Sequence, residues 1–169
     1  MRKSPIIVAV VLVATAVNPI SVKAISEEQK GLISSNCSSI KFQLQKVQKA
    51  DSKNRVHLGA QYESIAVNLM MNLNLRLVKN NRANADIAEQ QTTFISERDR
   101  FKNDFIGYSQ ELDNLVAIDC KNEPDKFYDQ LQLVREKRSD VDKSIHRMNE
   151  ILERHRKSIV ELKEGLSNE

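Results

Sequence analysis

FYDQLQLVREKRSDVDKSIHRMNEILERHRKSIVELKEGL, residues 127–166, decides the fold. Phe127, Leu131, Val134, Arg138, Val141, Ile145, Met148, Leu152, His155, Ile159, Leu162 and Leu166 follow one another in alternating steps of four and three. That spacing draws one stripe along a helix and is the seam of a coiled coil. Only Arg138 and His155 interrupt its apolar content. Pro124 suits the first helical turn, where a missing N–H costs nothing, so the helix is expected from about residue 124 to 166.

Upstream, Ile87, Gln91, Phe94, Arg98, Phe101, Phe105, Tyr108, Leu112 and Leu115 keep the same rhythm, with Asn84 or Asp86 available as an N-cap. This second seam is aromatic where the last is aliphatic, so large side chains can interdigitate with branched ones. The polar break Lys121-Asn122-Glu123-Pro124 is short, which makes the two helices antiparallel neighbours. The first segment is longer and less regular. Ser38 or Ser39 can cap it, Ile40, Leu44 and Val47 begin a seam, and Leu58, Tyr62, Ile65, Leu69, Leu73 and Leu77 resume one. Asp51 and Asn54 fall between, so a kink or a polar layer is expected near residues 51–55, with Asp51 and Arg55 paired at i, i+4.

Residues 69–78, LMMNLNLRLV, alternate like a strand, but helical pattern on both sides favours helix. As helix they carry two apolar faces, Leu69-Leu73-Leu77 and Met71-Leu75-Val78. Two faces imply two neighbours. The expected setting is the centre of the bundle; the alternative is a surface for a partner or a second copy. Asn80 to Asn84 supplies the turn that follows.

Cys37 and Cys120 are the two cysteines of the chain, and their midpoint falls beside that turn. An antiparallel hairpin therefore brings both to the same open end, where a disulfide closing so long a loop contributes about 4–5 kcal/mol by the chain-entropy model. The expected fold is an all-α, elongated, up-down-up three-helix bundle with helices about 39–79, 85–119 and 124–166, following an N-terminal segment 25–37 and closed by Cys37–Cys120.

The first 24 residues read as an export signal: a basic Met1-Arg2-Lys3, an apolar run from Ile6 to Val17, and Val22-Lys23-Ala24 with small residues at −3 and −1. The run is shorter than the ~20 apolar residues of a membrane span, so none is expected after cleavage. A secreted or surface location suits a disulfide. Of the 26 Lys and Arg, three precede the cut, leaving 23 against 23 Asp and Glu. A neutral mature chain lacks the positive field that drives nucleic-acid binding.

The residues offer little chemistry. His57, His146 and His155 have no metal-ligand spacing, and His155 reads as a partly buried seam residue. There is no Gly-x-Ser-x-Gly elbow and no glycine-rich phosphate loop. Neither catalysis nor a metal or other cofactor is expected. Arg76, Lys79 and Arg82 surround the first turn with no acidic residue between Glu63 and Asp86. With Arg154-His155-Arg156-Lys157 of the last helix they would form a basic tip for a protein or an anionic surface.

The stretches SSNCSSIKFQLQKVQKADSKNRVHLGAQYE, NLRLVKNN and FYDQLQLVREKR resemble small secreted helical proteins of ultrasmall candidate-phylum bacteria of the Saccharibacteria kind. The resemblance implies life attached to a host cell and hence a surface role, and it carries no site residues. The expected function is that of a non-catalytic exported interaction protein. It would bind through the tip or through Met71, Leu75 and Val78. The alternative is a holdase-like extracytoplasmic chaperone, which would need to oligomerise.

Overall fold

The computed structural model describes residues 25–167; the export signal expected over residues 1–24 lies outside them. The chain is all-α. Helix α1 (Glu27–Ser35) leads into α2 (Cys37–Ser64), which continues through a π-helical segment (Ile65–Met71) into α3 (Asn72–Lys79) as one rod. Helix α4 (Ala85–Ala117) returns along it, and α5 (Pro124–Ser167) runs back again. The long elements are antiparallel in sequence order. Gln48 on α2 bonds to Asp113 of α4 near one end, and Asn74 on α3 bonds to Gln91 of α4 near the other. On the opposite side Gln130 of α5 donates to the Glu111 carboxylate at 2.8 Å, and Arg147 to Glu97 at 2.7 Å. At 1.5 Å per residue α5 is about 66 Å long.

The three-helix expectation is too simple. The segment 25–37 holds a fourth helix, α1, begun by a capping box: Ser26 Oγ accepts from the Gln29 N–H at 3.2 Å, and Gln29 Oε1 accepts from the Ser26 N–H at 3.1 Å. Helix α2 then starts at Cys37 rather than after a serine cap, because Asn36 closes α1 instead. Its backbone N–H donates to the Leu32 carbonyl at 3.1 Å and its side-chain amide to the same oxygen at 2.9 Å. Lys30 ties α1 to the start of α5 through Asp125 at 3.0 Å.

The two turns differ in chemistry. After α3, Asn81 takes a left-handed backbone (φ 59°), its N–H donates to the Val78 carbonyl at 3.1 Å, and the Arg82 N–H donates to that of Leu77 at 2.9 Å. This is the Schellman end of a helix with Asn in the place usually taken by Gly. Asn84 then caps α4, accepting from the Ile87 N–H at 3.0 Å. After α4 the Asp119 carboxylate gathers the loop, accepting from the Asn122 side chain at 2.6 Å and the Lys121 N–H at 3.1 Å, and these bonds hold it below the usual carboxylate range.

Inside, Phe94, Phe101, Phe105 and Tyr108 of α4 are buried with Val134, Val141, Met148 and Ile151 of α5. Tyr62 of α2 meets Phe94 and Phe101 edge-on, with ring centres 6.1 and 5.5 Å apart, a geometry the ring quadrupoles favour. Along α5, Phe127, Val134, Val141, Met148 and His155 are all buried, one in every seven. Its two flanks are unequal. Ser144 and Ile151, on the side of α4, are fully covered, whereas Leu131, Ile145 and Leu152 are half-buried and Arg138 is exposed. Arg138 reaches Asp51 of α2, which marks the half-buried flank as the one facing the first rod. Helices α4 and α5 are thus the tight pair, and the first rod leans on α4.

The π segment is where the sequence seam and the structure part. Tyr62, Ala66, Met70 and Leu77 are buried, while Leu69 is 63% exposed. Tyr62 and Leu77 are fifteen residues apart, one more than two heptads hold. Bonding i→i+5 widens the turn and absorbs the extra residue.

Candidate interaction surface at the turn end

The π segment and α3 end at the Asn80–Asn84 turn. Their outer side is apolar: Met71, Leu75 and Val78 are 37%, 61% and 63% exposed. On a helical wheel the three fall within an arc of about 60°, with Lys79 and Arg76 next on the same outward side. The centre-of-bundle expectation for this face is therefore overturned. The reason lies in the packing, since α4 is the neighbour of the rod along Tyr62, Ala66 and Met70, and no described residue covers the other side.

The expected basic tip divides into parts. Arg76 and Lys79 stand exposed in the last turn of α3. Arg82 instead lines a cleft of roughly 350 Å³ with Asn84 and Asp86 from the start of α4 and Ser158, Glu161 and Leu162 from α5. Two carboxylates in that cleft make its charge mixed. The basic run of α5 does reach this end, but Arg156 is engaged by Glu153 at 2.7 Å. His155 turns inward and is buried, its Nδ1–H donating to Gln90 Oε1 at 3.1 Å, and the Gln90 amide donates to Ser158 Oγ at 3.0 Å. Burial lowers the pKa of this ring, so it is neutral at pH 7.

At the middle of the rod the polar layer expected near residues 51–55 is present, with different partners. Asp51 accepts from the Tyr108 hydroxyl at 2.7 Å and lies 3.8 Å from the Arg138 guanidinium. Burial, then the Asp51 bond, push the Tyr108 pKa far up, so the phenol remains a donor. Arg55 does not pair with Asp51 but lies over the Phe105 ring, 5.9 Å from its centre. Nearer the turn, Arg98 bonds to Glu63 of α2 at 2.7 Å and to Asp99 at 2.9 Å, beside a cleft of about 170 Å³ over Gly59 and Phe101.

A further polar layer escaped the sequence reading. Ser144 Oγ, fully buried, bonds to Asp104 and accepts from Arg147 at 2.9 Å, while Arg147 also holds Glu97. Its sequence signal is the serine four residues before a seam methionine, Met148, on the flank facing α4. These groups satisfy one another, and Arg147 also borders an open cleft with Ser139, Asp142, Lys143 and His146. Among the described residues no three His, Cys, Asp or Glu side chains stand close enough to hold a metal ion. At the far end Cys37 and Cys120 are joined, with Cα atoms 5.5 Å apart.

Comparison with known protein families, with curated proteins and with solved structures gives no match.

Proposed function

We propose that this chain is a non-catalytic, exported helical protein of the cell surface or envelope that engages a partner with the outer side of the rod at the turn end. One observation carries the reading. Eight of the eleven large apolar side chains exposed among the described residues lie in the π segment, α3 and the last turns of α5. A folded chain seldom leaves such residues together on its surface unless something covers them. The Cys37–Cys120 disulfide supports an oxidising, extracytoplasmic setting. The resemblance to secreted proteins of host-attached bacteria accords with it. No helix among the described residues is long and apolar enough to cross a membrane.

A photo-crosslinking residue placed at Leu75 or Val78 of the exported protein, in its native cells, is expected to trap a partner. The same residue at Lys143, on the outer side of α5, is expected to trap none. Equal trapping from both sides, or from neither, sinks the proposal. The holdase alternative shares the exposed apolar side chains, and suppression of client aggregation by the purified protein separates it from partner capture.

A further inference from the structure

From Ser64 to Ala85 the chain has no carboxylate, and the charges it does carry there are Arg76, Lys79 and Arg82. The same stretch contains the exposed Leu69, Met71, Leu75 and Val78. Apolar side chains and cations of one sign therefore share the outward side of one short rod. The two properties select among occupants. A second copy meeting this face with the same face would set Arg76 and Lys79 against their own counterparts, and like charges across an interface disfavour it. An amphipathic helix with basic residues on its polar side and branched apolar ones on the other is instead the form that lies in a lipid–water interface.

We infer that the turn end docks on an anionic lipid surface, with Met71, Leu75 and Val78 entering the headgroup boundary and Arg76 and Lys79 meeting lipid phosphates. The inference rests on the reading of this end as the contact surface and names its partner. The apolar side chains supply burial and the cations supply attraction within about a Debye length of the membrane. Neither alone gives stable attachment. The bundle stays outside the bilayer, since no helix among the described residues is long and apolar enough to cross it. Docking of this kind tilts the rod onto the membrane and leaves the disulfide end facing away.

The test is flotation of the exported, disulfide-closed protein with two kinds of vesicle, pure phosphatidylcholine and the same lipid with about a third phosphatidylglycerol. Flotation with the anionic vesicles only is expected. The pair L75Q/V78Q should weaken it at least tenfold, and R76Q/K79Q by roughly 20- to 30-fold, the ratio for two cations near an anionic surface. All four positions are exposed, and an unchanged thermal midpoint confirms that the variants fold. Binding to anionic vesicles that ignores L75Q/V78Q overturns the inference, because charge elsewhere would then suffice. A stable dimer in light scattering that protects Leu75 overturns it too. If no vesicles are bound while Leu75 still crosslinks to a protein in cells, the lipid is wrong and the contact surface stands.

Discussion

His155 shows how a polar residue is tolerated on an apolar seam. Its ring is buried among α4 and α5 side chains, yet Gln90 takes its one N–H, so its neutral form costs little. Burial opposes the charged form, so the folded pKa lies below that of the unfolded chain. Its contribution to stability is therefore complete above the unfolded value of about 6.5 and is lost as pH falls through the folded one. The urea midpoint is expected to drop between pH 7.5 and pH 5, and His155→Gln to show a smaller drop over that interval. An identical slope in the variant would assign the acid sensitivity to carboxylates alone. Asp51 was placed by the sequence on a seam, and that position proved right while its partner did not. Neighbours four apart on one helix are visible in a sequence. A phenol 57 residues away, Tyr108, is not.

At the scale of elements, the α4–α5 hairpin was legible almost residue by residue, because an unbroken four–three seam leaves one stripe and a short polar break leaves one way to fold back. Two features were not read, though each left a sign. Ser26 and Gln29 spell the capping box of α1. The π segment was announced by three successive steps of four, from Ile65 through Leu69 and Leu73 to Leu77, which no strict seam contains. The extra residue is the cause of the π turn, and it can be removed. Deleting the exposed Asn68 should let α2 and α3 join as one α-helix, with Tyr62 and Leu77 still on one face, and change stability by less than about 1 kcal/mol. Deleting Ser52 from the regular part of α2 should rotate one end of the rod by about 100° against the other and cost several times as much. Equal costs in urea denaturation would show that the π turn is imposed by packing against α4 and not by residue count. Which side of α3 lies open was beyond the sequence, since two apolar faces look alike until a neighbour chooses one.

For the whole molecule, the first rod is the weakly held partner, leaning on α4 and leaving the facing flank of α5 half-covered. It is secured at both ends by the chain itself, through the Asn80–Asn84 turn at one and Cys37–Cys120 at the other. The sequence located that bond correctly, because the midpoint of the two cysteines and the turn coincide. Reduction, or the pair Cys37→Ser and Cys120→Ser, is expected to cost about 4–5 kcal/mol, read as a lowered urea midpoint. A loss below about 1 kcal/mol would mean that side-chain packing alone fixes the rod. The fold away from this rod asks for no such tie.

The same bond decides where a pulling force would travel. Cys37 follows α1 directly and Cys120 stands four residues before α5, 83 positions apart in sequence. Tension between the two ends of the bundle passes from α1 through the sulfur pair into α5, and the covalent ring containing α2, α3 and α4 is bypassed. At the full reach of about 3.4 Å per residue, some 280 Å of chain is withheld from stretching until the bond is reduced. A chain closed this way can be strained from end to end while α2, α3 and α4 carry no load.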